Sequence, residues 1–122
     1  MLKMTPITKL RLSCGVITNK YEPFIPKLET YAIENLEVVG VCGIVMRHYI
    51  FPTLYVAVDK KHRKKGIGTR LVKDIIYRAR YPVFLTVWTG NPSYKIFKKF
   101  GFKKVCNWRK IRGVKTIVMV RL

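Results

Sequence analysis

The stretch LYVAVDKKHRKKGIGTR, Leu54 to Arg70, decides how this chain is read. It opens on five apolar residues, Leu54 to Val58, of the kind that fill strands. Asp59 to Lys65 then form a strongly basic turn. From Gly66 the apolar residues fall at helical spacing, with Ile67, Leu71, Ile75 and Ala79 on one face and Val72 and Ile76 beside them. The order strand, turn, helix gathers backbone N–H groups and a helix N-terminus at one point, ringed by cations. Such a point attracts phosphate, because the N–H groups donate and the helix dipole favours negative charge. Glycine at positions 66 and 68 lets a ligand approach the backbone with no Cβ in the way. A pyrophosphate-bearing cofactor is the natural occupant.

Spacing then separates the known kinds of glycine turn. A nucleotide-triphosphatase loop needs G-x-x-x-x-G-K-[ST], and position 61 is Lys61, not glycine. A dinucleotide fingerprint needs a third glycine and a later acidic residue. Leu71 stands where that glycine would be, and no acid closes the next strand, which begins near Pro82. What remains, Arg63-x-x-Gly66-x-Gly68, resembles the acyl-CoA loop of the GNAT superfamily of N-acyltransferases, whose pattern is Arg/Gln-x-x-Gly-x-Gly/Ala. Val56-Ala57-Val58-Asp59 before it and Ile67 within it are similar to that family too. Downstream, an apolar strand from Val83 to Trp88 leads through Thr89-Gly90-Asn91 into a short helix, Pro92 to Phe100, closed by Gly101-Phe102. Asparagine suits an N-cap, proline the first helical position and glycine the C-cap. The resemblance covers residues 54–102.

The rest of the chain fits one α/β unit with no linker or repeat. Its 122 residues suffice for a single core, and 49% are apolar. No apolar run reaches the roughly 20 residues of a bilayer span, and a signal-peptide core is missing at the N-terminus. Cys14, Cys42 and Cys106 lack metal-ligand spacing and read as thiols of a reducing compartment; His48 and His62 suggest no metal either. The expectation is a soluble, cytoplasmic protein. Residues 5 to 31 are hard to read, since Pro23 and Pro26 interrupt regular structure. Two strands are expected, from Tyr31 to Glu37 and from Val38 to Tyr49, with a bend or bulge at Gly40 and Gly43. Phe51-Pro52 reads as a turn. Strands Phe102 to Ile111 and Val114 to Leu122 flank a hairpin turn at Arg112-Gly113.

Charge is the second signal. The net charge is +19, and residues 60–122 carry 19 Lys/Arg against Asp74 alone. A bound CoA brings only about four negative charges, so it does not account for that excess. A solvated face is the bland explanation. The sharper one is a polyanionic partner: nucleic acid such as tRNA or DNA, or an acidic protein, ahead of a membrane surface.

The resemblance implies a single GNAT-like domain over residues 1–122. Its sheet would be central, twisted and mostly antiparallel, with splayed central strands, flanking helices and an abbreviated N-terminal part. It implies an N-acetyltransferase that takes acetyl-CoA, or another acyl-CoA, and attacks its thioester with an amine. The pantetheine would pair with the edge Tyr55, Val56, Ala57 and Val58, and the Val58 N–H would polarise the thioester carbonyl. Arg63, Lys64, Lys65, Gly66, Ile67, Gly68, Thr69 and Arg70 would hold the pyrophosphate. Asn91 has two readings, helix cap or pantetheine contact, and Phe97 is counted with the donor-binding residues. Many members carry a tyrosine acid where this chain has Phe97. Tyr94, three residues earlier on roughly the same helical face, is the substitute acid, with packing under the helix as its plain alternative. No carboxylate stands before the loop, so Glu34, Glu37 and His48 are only remote base candidates. Asp59 reads as a backbone cap. A shortened acceptor wall would leave the site open or be completed in a homodimer.

Overall fold

Asn35 and Leu36 close the first hairpin, both at positive φ (50° and 64°), as a two-residue turn between twisted strands requires. The computed structural model describes residues 9–10, 25–47, 50–88, 90–110 and 113–122. The readings made for residues 5–8 and 11–24, for His48 and Thr89 and for the Arg112 turn position lie outside these. So does the abbreviated acceptor wall.

Around that turn run β1 (Leu28–Glu34) and β2 (Glu37–Arg47), followed by β3 (Phe51–Val58). A 3₁₀ turn, Lys60–His62, leads to helix α1 (Ile67–Arg78), then β4 (Val83–Trp88), helix α2 (Ser93–Lys99), β5 (Lys103–Asn107) and β6 (Thr116–Arg121). The six strands form one sheet in the order β1-β2-β3-β4-β6-β5. Every pairing is antiparallel except β3 with β4, which α1 connects in parallel.

Three expectations need correction. The first hairpin turns at Asn35-Leu36 rather than between Glu37 and Val38. Phe51 and Pro52 belong to β3, opposite Arg47 and Met46, and do not form a turn. The last two strands are shorter than expected, ending at Asn107 and starting at Thr116. The bulge near Gly40 is present: Ala32 faces Gly40 and Ile33 faces Val38, which leaves Val39 as the extra residue of β2.

The helical stripe read from sequence is the floor of the core. Ile67, Leu71, Val72, Ile75 and Ile76 are buried against Ile44, Leu85, Met119 and their neighbours. Gly40 lets α1 settle on β2, because a Cβ there would come within 3.0 Å of Leu71 and 3.1 Å of Ile67. A smaller cluster on the opposite face joins Leu10 to Val41, Val45, Tyr55 and Ala57. Cys42 lies fully buried in the main core, and burial pushes its thiol well above the ordinary range. Cys106 is exposed. Mass spectrometry after alkylation of the native protein at pH 8 should therefore find label on Cys106 and none on Cys42. Labelling of Cys42 before unfolding would contradict the packing.

Candidate active site

The two parallel strands barely touch. Thr53 and Phe84 form their one register pair, whereas β3 faces β2 along its whole length and β4 faces β6 likewise. Beyond that pinch the C-terminal halves diverge. Because the strands are parallel, the ends of both, Val58 and Trp88, open on the same side. The segments that follow them, the glycine turn and the Gly90–Pro92 turn, therefore flank one cleft.

Backbone alternation sorts the residues of the β3 edge. The Asp59 N–H donates to the Val39 carbonyl at 2.7 Å, so Asp59, Ala57 and Tyr55 direct their backbone groups to β2. Val56 and Val58 direct theirs towards β4. Of the expected edge Tyr55–Val58, it is thus Val56 and Val58 whose main chain faces the cleft. Tyr55 turns its side chain to the opposite face, where its hydroxyl donates to Glu29, as does that of Tyr31. Gly43 makes this reach possible, since a Cβ there would lie 2.4 Å from the Tyr55 hydroxyl oxygen.

The glycine turn has the construction its sequence suggests. Gly66 takes φ +76°, the left-handed conformation that favours glycine, and Lys64 has φ 66°. A Cβ on Gly66 would meet nothing within 4 Å, while one on Gly68 would make ordinary contact with Val58 at 3.6 Å. Position 66 therefore needs glycine for its backbone, and position 68 does not. Helix α1 has no side-chain cap and no acidic residue in its first turn. Its first internal bond runs from the Arg70 N–H to the Gly66 carbonyl at 3.1 Å. The N–H groups of Ile67, Gly68 and Thr69 precede that bond and point outward at the positive end of the helix.

Two tethers fix the turn. Arg63 Nε donates to the Val58 carbonyl at 3.1 Å, tying the loop to the end of β3. Glu34, at the tip of the first hairpin, lies 2.9 Å from His62 Nδ1 and 3.8 Å from Lys65 Nζ. Sequence reasoning gave Glu34 only a remote base role; its place against the loop depends on a pairing 28 residues distant, which no local pattern reveals. Asp59 makes no side-chain cap bond. Its backbone oxygen instead accepts from the His62 N–H at 2.8 Å, so the expected carboxylate cap is absent.

Across the cleft, Asn91 Oδ1 accepts from the Ser93 N–H at 2.8 Å, which makes it a cap of α2. With Gly90, Pro92, Tyr94 and Lys95 it also lines a pocket of about 350 Å³. Tyr94 is half-buried there, with Lys98 Nζ 5.5 Å from its ring centre. Phe97, three residues on, lies on the buried side of α2. Helix α2 ends in a Schellman motif: Gly101 at φ +92°, Gly101 N–H to the Lys98 carbonyl, and Phe102 N–H to the Phe97 carbonyl. That motif brings the rings of Phe97 and Phe102 together edge-to-face at 5.9 Å inside the core. Phe97 is thus a buried core residue, 6% exposed.

Among the described residues, no three His, Cys, Asp or Glu side chains converge as a metal site. No helix among them is long and apolar enough to cross a membrane.

Known proteins agree with this architecture. The family model described as an acetyltransferase (GNAT) domain matches residues 26–104. N-alpha-acetyltransferase 30 of Xenopus laevis is 37% identical over an 87-residue alignment that covers 63% of this chain and 32% of that protein. Its Homo sapiens counterpart is 36% identical, with 24% of its length covered. The chain thus spans a third or less of these relatives. Among solved structures, an acyl-CoA N-acyltransferase from Pseudomonas aeruginosa superposes with a TM-score of 0.75 over 93% of this chain and 86% of its own, at 16% identity. A ribosomal-protein-alanine N-acetyltransferase from Brucella melitensis gives 0.70 over 77% and 67%, at 21% identity. With the family model covering most of the sheet and both sides of the cleft, the chain belongs to the GNAT acetyltransferase family.

Proposed function

We propose that this chain is an acyl-CoA-dependent N-acyltransferase, acetyl-CoA being the default donor, built as one domain over residues 1–122 and acting in the cytoplasm. One observation carries the reading: two parallel strands that meet at a single residue pair and part above an uncapped helix N-terminus. The fit to a CoA thioester follows from that shape. The N–H groups of Gly66 to Thr69, with Lys64 and Arg70 beside them, suit a pyrophosphate. The Val56 and Val58 main chain suits the amides of a pantetheine arm. A solved relative from Salmonella typhimurium is described with acetyl-CoA as its cofactor, in the same fold.

Acyl-CoA supplies a thioester whose carbonyl carbon accepts a neutral amine and whose sulfur departs as thiolate. The Val58 N–H, directed towards β4, polarises the carbonyl oxygen as that charge develops. Tyr94, lining the pocket on α2, gives the proton to the departing sulfur, while the proton lost by the amine nitrogen passes to solvent, from which the Tyr94 hydroxyl is restored. Tyr94→Phe should lower kcat by more than about tenfold at unchanged KM for acetyl-CoA, the worth of general acid catalysis. An unchanged kcat would return Tyr94 to packing beneath α2.

The acceptor is an amine. The named relatives are N-alpha-acetyltransferases, and the charge of residues 60–122 points to an amine carried by nucleic acid or by a protein associated with it. Transfer of label from radioactive acetyl-CoA to aminoacyl-tRNA, to oligonucleotides and to peptides with unblocked N-termini tests the reading. Label in none of them sinks it. A second reading, a non-catalytic nucleic-acid-binding module on this scaffold, is favoured by one observation: the position where many members hold an acidic tyrosine is Phe97, closed inside the core.

A further inference from the structure

Both tryptophans of the chain stand on one face of the sheet, on either side of β6, where no described helix packs. Helices α1 and α2 pack on one face of the sheet, against Val83, Leu85, Val87, Ile117 and Met119. On the other face of β4, Trp88 stands opposite Thr116 of β6. The Trp108 N–H donates to the Thr116 carbonyl at 2.8 Å, continuing the same row past the end of β5. Trp88 and Trp108 are 45% and 43% exposed, whereas Thr116 between them is 7% exposed. Thr116 Oγ1 donates to the Arg109 carbonyl at 2.7 Å, so the segment carrying Trp108 is pinned to the sheet.

A sheet face without a covering layer normally carries polar side chains, and among the described residues no helix covers this face of the three strands. This one carries two indoles in one row, a pattern that marks an interaction surface. Its surroundings are of one sign. Lys103, Arg109, Lys110 and Lys115 are exposed on the segments that carry β5 and β6, and no Asp or Glu follows Asp74 in the sequence. A second copy of this chain would bring cation against cation, so self-association on this face is disfavoured. Exposed indoles on so basic a part of the chain match the chemistry of unpaired nucleic acid, with bases stacking on the rings and phosphates meeting the cations.

We propose that the face of β4, β6 and β5 opposite α1 and α2 binds single-stranded nucleic acid, stacking bases on Trp88 and Trp108. The surface deepens the reading of a nucleic-acid-borne acceptor, yet its test involves no acyl transfer. Failure of one is therefore distinguishable from failure of the other. Both tryptophans lie here, but the Trp88 ring also packs against Gly90 at the cleft mouth. The titrations are therefore made with the donor site saturated by acetyl-CoA, and Trp108 is the reporter of this face. Titration of nucleic-acid-free protein with an oligouridylate of about 12 nucleotides, within the usual site size, should give saturable quenching that weakens with salt. Heparin, a polyanion without bases, should compete by charge but leave the emission nearly unchanged. Trp108→Ala should weaken oligonucleotide binding about tenfold, and Trp108→Phe should restore most of it, with circular dichroism confirming the fold of each.

Equal quenching by heparin and oligouridylate would overturn the proposal, as would Trp108→Ala binding like the wild type. Quenching by an acidic peptide with no response to oligouridylate would assign the face to a protein partner. An emission shift on raising protein concentration alone would assign it to a second copy.

Discussion

Gly66→Glu is expected to abolish acetyl-CoA binding while leaving the protein folded. Gly66 adopts φ +76°, and a side chain placed there projects into open space. Steric conflict within the protein is therefore not the cause. Two effects act instead. Left-handed backbone costs a non-glycine residue about 1–2 kcal/mol. A carboxylate about 5 Å from a bound phosphate adds about 3 kcal/mol of repulsion at an effective dielectric constant near 20. The same carboxylate beside a helix N-terminus is favourable for folding, so stability should fall little. Gly66→Ala separates the effects, because it carries the strain without the charge. Calorimetric titration should show a loss beyond about 100-fold for Gly66→Glu and less than about tenfold for Gly66→Ala. Equal losses would mean that loop shape, and not the anion, governs the site.

Phe102→Ala should produce the largest loss of stability of any substitution described above. Its side chain is 2% exposed and closes the Schellman turn against Phe97. Truncating a buried phenylalanine costs about 3–5 kcal/mol, a large part of the roughly 5–15 kcal/mol that holds a domain together. The thermal midpoint should fall by more than about 10 °C. Val105→Ala on the exposed edge strand β5 should stay within about 0.5 kcal/mol of the wild type. A mild effect of Phe102→Ala would mean that α2 does not rest on this pair of rings, and the pocket beside Tyr94 would lose its support.

What could be read from the sequence was local. The periodicity of Ile67 to Ile76, the glycines of the turn and the Asn91…Gly101 caps each act within a few residues, and each forms its element as expected. Pro52 shows where local rules mislead. It reads as a strand breaker, yet strand alternation turns its nitrogen away from β2, so the ladder with β2 loses no hydrogen bond. The Asn35-Leu36 turn carried no glycine to announce it. Motif spacing located Phe97, and the geometry of the helix end packs its ring on Phe102 in the core. The Glu34 tether to His62 and Lys65 and the Trp88–Thr116–Trp108 row join residues far apart in sequence. Only the assembled sheet brings them together.

The central claim is that the cleft between β3 and β4 takes the pantetheine arm and not merely a phosphate. Calorimetric titration with acetyl-CoA, set against ADP under the same conditions, tests it most directly. Micromolar binding of acetyl-CoA, at least about tenfold tighter than ADP, is the predicted result, since pantetheine pairing worth about 1.4 kcal/mol already gives that factor. Equal affinity for the two would reduce the glycine turn to a phosphate site and contradict the account.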